Sequence, residues 1–323
     1  AIGLVLDALQ DAEHGVVKST DEIAAVGHRV LHAGTKYCES IVVNEDVKKV
    51  IRECFDLGPL HNPANLMGIE ACEAVMPGKA NVAVWDTAFG MSMPEKAYLY
   101  AIPHEYYEKY SIRRYGFHGT SHRYVSKRVC EFLGLDRSKT RVITCHLGNG
   151  SSMAAVDCGK CGDTTMGITP LEGVIMGTRS GSMDPAVVQY IANNDHMTVD
   201  EVLNMCNKKS GLLGISGLSS DMRDIDLAYD EGNPRAILAR DMHYGRIRKF
   251  VVRDARERLH GSRIHGRRIR PRGQQGRPRR KQNPLYSRFA RQSGRHRHRR
   301  GAGHRYRHIQ SRKIIFKAHF HNL

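Results

Sequence analysis

Two arginines, a histidine and an aspartate occur in contexts that suit chemistry better than an ordinary surface. Arg29 lies inside a β-type run, Val26-Gly-His-Arg-Val-Leu31, where an unpaired charge would be costly to bury. Arg179 lies in Gly177-Thr-Arg-Ser-Gly-Ser182, a small-residue loop just ahead of the helix start Asp184-Pro185. A guanidinium offers two parallel donors, which suits planar carboxylates and phosphates. Each arginine could equally serve a structural ion pair. Asp86 follows the apolar run Asn81-Val-Ala-Val-Trp85. Ligands of open α/β sheets gather beyond the carboxyl ends of strands, so a carboxylate there can organise a substrate or simply cap the next turn.

His118 lies in Tyr115-Gly-Phe-His-Gly-Thr-Ser-His122, ahead of an amphipathic stretch reaching about Leu133. With Thr120 or Ser121 as cap, a helix begins just after His118, where free N–H groups and the helix dipole favour an anion. A histidine there could donate a hydrogen bond to a phosphoryl group. His118, His122 and His146 can also be drawn as zinc ligands. His118 precedes the helix, however, and no HExxH pattern accompanies the three, so no metal ligand is assigned. In Arg141-Val-Ile-Thr-Cys-His-Leu-Gly-Asn-Gly-Ser-Ser152 one strand ends and another leaves within a few small residues. Glycines let backbone N–H groups approach an anion, which makes His146, Leu147, Gly148, Asn149 and Gly150 a candidate phosphate hairpin. A tight β-turn requires the same Asn-Gly pair. Gly217-Leu-Ser-Ser-Asp-Met-Arg-Asp224 is a polar loop that is either a binding loop or a connector.

The elements that must position these residues read as α/β. Val26–Leu31, Asn81–Trp85, Arg141–Cys145 and Ser152–Val156 have strand character. Asn62-Pro63, Asp184-Pro185 and Asn233-Pro234 put a capping side chain before a proline at a helix start, and Thr198-Val-Asp-Glu201 is a capping box. The helix from Asn233 is expected to bury Ile237, Leu238, Met242, Ile247 and Phe250 on one face. Cys158-Gly-Lys-Cys161 reads as a hairpin turn rather than half a zinc site. The eight scattered cysteines suit reduced thiols. No run of about 20 apolar residues marks a spanning helix, and no secretory leader is evident, so the expectation is a soluble, cytoplasmic protein.

The net charge of +17 is unevenly spread. Val251–Leu323 holds 23 Lys and Arg against two acids, or +21, leaving the body with 27 basic and 31 acidic groups, or −4. From Arg258 onward there is no carboxylate, and segments such as Arg267-Arg-Ile-Arg-Pro-Arg-Gly273 and Arg295-His-Arg-His-Arg-Arg300 have neither helix nor strand periodicity. Such a composition favours disorder, and its abrupt onset points to a shifted reading frame. Binding of nucleic acid or another anionic surface through the tail is the reading from another class. Sparse aromatics and the lack of a known module argue against it.

Six segments, Gly27-His-Arg-Val-Leu-His32, Pro59-Leu-His-Asn-Pro-Ala-Asn65, Asp86-Thr-Ala-Phe89, Arg114-Tyr-Gly-Phe-His-Gly-Thr-Ser-His122, His146-Leu-Gly-Asn-Gly-Ser-Ser152 and Gly173-Val-Ile-Met-Gly-Thr-Arg-Ser-Gly181, share an order and spacing. On these the region from Val26 to Val251 resembles the acetate kinase family. The resemblance implies two ribonuclease-H-like domains of the actin-like ATPase type around a cleft, the first incomplete. Residues 1–89 would form the partial first domain, 90–250 the second, and 251–323 a non-native or disordered tail. It implies reversible γ-phosphoryl transfer from ATP to acetate, giving acetyl phosphate and ADP, with Mg²⁺, in a homodimer. Propionate or butyrate kinase is the alternative within the same chemistry. Asp86, His118 and Arg179 would be catalytic, Arg29 would bind substrate, and His146 to Gly150 with Asp221, Met222 and Arg223 would bind ATP. The family's opening Asn-Ala-Gly-Ser-Ser-Ser-type loop, its adenosine loop and its metal-ligating glutamate have no counterpart here. The expectation is therefore a fragment of low activity.

Overall fold

In the computed structural model, residues 2–59, 61–260 and 314–320 are described, with side chains through Val252. Strands β1 (Ala25–Val30), β2 (Ile41–Val42) and β3 (Ala80–Trp85) form one sheet in the order β1-β3-β2. β1 and β3 are parallel, with Arg29 opposite Val84 and Val30 opposite Trp85. A parallel pair needs a long crossover, and here it carries helices. After an opening helix α1 (Ile2–Leu9), these are α2 (Glu45–Glu53) and α3 (Asn62–Val75). Val30, Val47, Ile51, Leu66, Ile69, Ala83 and Trp85 fill the core beneath the sheet.

A second sheet follows helices α4 (Glu95–Tyr98), α5 (Glu105–Tyr110) and α6 (Gly119–Phe132). Its strands β4 (Arg141–Leu147), β5 (Ser151–Asp157), β6 (Lys160–Thr164) and β7 (Ile314–Phe320) lie in the order β6-β5-β4-β7. β5 is buried from Ser151 to Val156, where α6 and the strands enclose Val129, Cys130, Val142 and Val156. Helices α7 (Ala186–Asp195), α8 (Val199–Lys208), α9 (Gly211–Ser216), α10 (Met222–Asp230) and α11 (Pro234–His260) complete the α/β architecture.

The strands expected at four places are all present, within one or two residues at most ends. The capping box at Thr198 forms, and Asp184 and Asn233 accept helix-start N–H groups. Cys158 and Gly159 make the β5–β6 turn, one residue earlier than expected. Three expectations need correction. Asn62 is no cap: it is buried, accepts from the His32 N–H, and donates to the His32 and Ile51 carbonyls. Neither Thr120 nor Ser121 caps α6, because His118, in a left-handed conformation, is the cap residue itself. On α11, Leu238 and Met242 are exposed; the inward stripe is Ala236, Ala239 and His243, continued by Ile247 and Phe250 against Ile143, Met153 and Val174. Small alanines let the helix approach closely, so of the five expected residues Leu238 and Met242 fall outside the inward stripe while Ile247 and Phe250 lie on it.

Among the described residues no helix is long and apolar enough to cross a membrane, and all eight cysteines are free. α11 runs through Val251 to His260. The tail expected to be disordered from residue 251 is instead helical as far as His260 and holds strand β7, Ile314–Phe320, parallel to β4; its remaining residues, 261–313 and 321–323, and its reading as an anion binder lie outside the described residues.

The join between the β3 end and α6 is tight. Gly119 N–H donates to the Asp86 carbonyl at 2.9 Å, and a methyl on Gly119 would lie 2.2 Å from that oxygen. Gly119→Ala is expected to cost about 1–3 kcal/mol as an overpacked site. Urea unfolding reads it, and an unchanged midpoint would show that α6 can retreat freely.

Candidate active site

Asp86 leaves the β3 end fully inside the protein, 3% exposed. Its backbone N–H donates to the Val30 carbonyl, which ties the ends of the parallel strands together. One carboxylate oxygen, Oδ2, accepts from Arg29 Nη2 at 2.8 Å and from the His118 backbone N–H at 2.7 Å. Arg29 stands at the penultimate position of β1, so strand register alone brings it beside Asp86. His118 has φ 57 and ψ 25, a left-handed conformation uncommon for a residue with a side chain. The carboxylate bond to its N–H helps hold it there.

The His118 ring is fixed from two sides. Nδ1 lies 2.8 Å from Ser152 Oγ, and the ring stacks on His146 at 4.0 Å between centroids. Burial, reinforced by His146, His122 and the cations Arg29 and Arg179, pushes its pKa down to about 2. His122, fully enclosed, is pushed down to about 3 by burial and His146. His122 Nε2 lies 2.7 Å from the same Ser152 hydroxyl, and its Nδ1 lies 2.8 Å from Thr144 Oγ1. His146 Nδ1 is paired with Ser121 Oγ at 2.9 Å.

The β4–β5 turn brings in the rest. A methyl on Gly150 would lie 3.1 Å from Arg179 Nη1 and 3.4 Å from His118 Nε2, so the turn, the arginine and the histidine face one small space. Only the lack of a side chain at Gly150 keeps that space open. Arg179 Nη1 donates to the Pro170 carbonyl at 3.3 Å. Among the described residues no carboxylate lies within ion-pair distance of Arg179. Burial, then Arg29, lowers its pKa. The Pro170 segment is itself pinned: Arg114 donates to the carbonyls of Thr164, Thr165 and Met166 and pairs with Glu172 at 2.6 Å, while Tyr100 O–H donates to Glu172 at 2.7 Å.

His146, Leu147, Gly148, Asn149 and Gly150 therefore adjoin the Arg29–Asp86–His118–Arg179 group. The remaining candidates meet the hairpin from its other side. Gly177 N–H donates to the Asn149 carbonyl at 2.9 Å, and a methyl on Gly177 would lie 2.0 Å from Asn149 Oδ1 and 3.0 Å from the Ser220 carbonyl. Asp221 caps α10, accepting from the Arg223 N–H and guanidinium, which pulls its pKa down to about 2. Met222 opens that helix, and Arg223 is held by Asp221 rather than directed to the His118 group.

Residues not singled out in the sequence also belong here. Half-buried His61 has its pKa lowered by burial first, then by Arg29 and Arg179, with Asp86 opposing. It precedes Asn62-Pro63, a signal that marked a helix start and drew attention away from the histidine. Ser152 was legible as a hydrogen-bond donor of the candidate phosphate hairpin and His122 as a doubtful metal ligand, but not their contact with each other.

Comparison with known proteins adds the following. The acetokinase family model matches residues 1–261. The acetate kinase of Treponema denticola is 59% identical over 252 residues, which cover 78% of this chain and 64% of that protein. That of Agathobacter rectalis is 55% identical over 251 residues, covering 78% and 63%. The chain thus spans less than two thirds of the length of these relatives. Among solved structures, Porphyromonas gingivalis acetate kinase has a TM-score of 0.75 at 49% identity, covering 79% of this chain and 64% of the other. A Francisella tularensis propionate kinase has a TM-score of 0.74 at 44% identity, covering the same shares.

The buried histidines make stability depend on pH. His118 and His122 are joined by His32, whose pKa burial lowers to about 4. All three bind protons in the unfolded chain near pH 6.5 but not in the folded one, so unfolding takes up protons and stability falls as pH drops. The loss is expected to begin near pH 6.5 and continue toward about 4, each histidine adding a slope of up to about 1.4 kcal/mol per pH unit. Urea unfolding at a series of pH values measures it; a flat profile between pH 6.5 and 5 would contradict the histidine assignment.

Proposed function

Because this chain belongs to the acetokinase family, we propose that its site serves reversible phosphoryl transfer between ATP and acetate, giving acetyl phosphate and ADP. The observation that carries the reading is Arg179. It is partly buried, has no carboxylate partner among the described residues, and faces the same space as His118 Nε2 and the Gly150 turn. An arginine so placed suits an anion, and its planar fork suits a phosphoryl or carboxylate group.

In this reading an acetate oxygen attacks the γ-phosphorus as the bond to the β–γ bridging oxygen breaks and ADP leaves. Acetate is already an anion, so no proton has to move. Arg29 and Arg179 offset charge on the transferring group, and His118 donates a hydrogen bond to it. Such positioning and charge neutralisation are what phosphoryl transfer chiefly requires. Asp86 is already engaged by Arg29 and the His118 N–H. It acts as an organiser of those two donors rather than as a base. The hairpin His146 to Gly150 would line the nucleotide phosphates, and Asp221 to Arg223 would contact the nucleotide.

Mg²⁺ is the usual companion of ATP, and when bound it would neutralise phosphate charge. Among the described residues no group of three or more His, Cys, Asp or Glu could hold a metal. These residues do not form a magnesium cage, and no step above passes through the ion. A cytoplasmic setting accompanies the reading, supported by eight free thiols. Light scattering after size exclusion would test the homodimer.

A second acceptor, propionate, is favoured by the structural likeness to a propionate kinase. Next to the site, Leu31, Phe117, Met166 and Met176 form an apolar cluster, and one methylene in such surroundings changes discrimination by about 1–3 kcal/mol.

Two measurements test the reading. Calorimetric titration with acetyl phosphate is expected to show one site, and Arg179→Ala is expected to weaken it at least about tenfold, or about 1.4 kcal/mol. In hydroxylamine-trapped turnover with ATP the rate of this chain is expected to be low, with acetate ahead of propionate and butyrate, and the same variant should lower it further. Acetyl phosphate binding indifferent to Arg179→Ala would reject the assignment.

A further inference from the structure

The Ser152 hydroxyl has a single hydrogen, yet two imidazole nitrogens lie within hydrogen-bond distance of it: His118 Nδ1 at 2.8 Å and His122 Nε2 at 2.7 Å. It can donate to one and must accept from the other. With both rings neutral, the two tautomers are therefore coupled. The chain continues to Thr144, whose Oγ1 lies 2.8 Å from His122 Nδ1. Ser152 and His122 are buried, and so is Thr144. Solvent does not offer a ready alternative partner, and leaving any of these groups unpaired would be costly.

Only two patterns satisfy every member. In the first, Thr144 O–H donates to His122 Nδ1, His122 Nε2–H donates to Ser152, and Ser152 O–H donates to His118 Nδ1. His118 then carries its hydrogen on Nε2. In the second pattern every donation is reversed, His118 carries its hydrogen on Nδ1, and Thr144 must place its own hydrogen elsewhere. The alternative acceptor is the Ala154 carbonyl at 3.4 Å, well beyond the usual 2.5–3.0 Å for a hydroxyl donor. The first pattern uses the 2.8 Å contact instead.

We propose that Thr144, His122 and Ser152 form a tautomer lock, three positioning residues that hold His118 as a neutral imidazole with its N–H on Nε2. That atom is the one facing the space shared with Arg179 Nη1 and the Gly150 turn. The reversed pattern would aim a lone pair there and repel an anion. The groups around the ring are Arg29 and Arg179 as cations, Asp86 bound to its backbone, and His146 and His122 as neighbouring imidazoles. The proposal rests on the phosphoryl-transfer reading for its use, but the lock itself is a property of the resting protein.

Nitrogen-15 spectroscopy of histidine-labelled full-length chain, without substrates, tests the lock directly. Signals are assigned with His118→Gln, and spectra are followed across about pH 5 to 8, the range in which an ordinary histidine titrates. Both His118 and His122 are expected to show a hydrogen-bearing Nε2 and an unprotonated Nδ1, unchanged over that range. Thr144→Val, nearly the same shape without the hydroxyl, is expected to shift His118 toward a mixture of tautomers. Thr144→Ser is expected to restore the single form. An Nδ1–H tautomer or an imidazolium at either ring in the wild type would overturn the proposal. So would a folded Thr144→Val that keeps the Nε2–H form of His118. If Thr144→Val does not fold, the wild-type tautomers decide. Acetyl phosphate binding is read separately, so a failed lock and a failed functional reading give different results.

Discussion

The carboxylate of Asp86 is almost wholly withdrawn from the surface, only 3% exposed. Such a group is retained only when charge-assisted partners surround it, and each of its partners comes from a different part of the chain. Arg29 comes from β1, the N–H of His118 comes from the residue that starts α6, and the backbone of Asp86 itself binds Val30 and Gly119. Arg29 is itself 46% exposed, so its loss is screened by solvent and costs less than the roughly 3–5 kcal/mol typical of a fully buried pair. Two local features follow from satisfying this one carboxylate: His118 adopts left-handed backbone angles, and an arginine sits where a strand would otherwise carry an apolar or neutral side chain. The glycine at 119 answers instead to the Asp86 backbone carbonyl.

Once Asp86 has neutralised Arg29, Arg179 is left as surplus positive charge. The segment that presents it is held by interactions that do not consume that charge: the Arg114–Glu172 pair is closed on itself, and among the described residues the Arg179 side chain donates to the Pro170 carbonyl and the Met176 sulfur. At an effective dielectric near 20, a unit charge about 4 Å away is worth about 4 kcal/mol. In the proposed site that surplus charge is what would attract an anion.

Much of this was legible in the sequence because the residue types conflict with their neighbours. An arginine inside a β-type run, an aspartate at the end of an apolar strand and an arginine among glycines and serines each advertise a special environment. Their pairing was not legible, since Arg29 and Asp86 are 57 positions apart and only the parallel register of β1 and β3 joins them. Asn62 shows the opposite failure. Before a proline it has the form of a helix cap, but the backbone at His32 and Ile51 makes a stronger demand on its side chain. On α11 the large apolar residues suggested one face while close packing chose the alanines. The contacts of His61, His122 and Ser152 were not legible, because what they do depends on partners in other elements.

A charged residue in place of His118 would at first seem the better choice for a phosphoryl site. Its surroundings argue otherwise. The ring is stacked on a second imidazole at 4.0 Å and lies beside two guanidiniums, so a third positive charge would be opposed from every side but that of Asp86. A permanent cation would also hold bound phosphate, acetyl phosphate and ATP alike, and interactions equally strong in ground and transition states do not accelerate the chemical step. A neutral N–H fixed in direction by hydroxyls behind it has a narrower effect. It strengthens as charge develops on the oxygen it points at, without adding to the general attraction for anions. In the proposed reaction, which would run both ways with charged reactants at each end, directional stabilisation from a neutral donor would separate catalysis from retention.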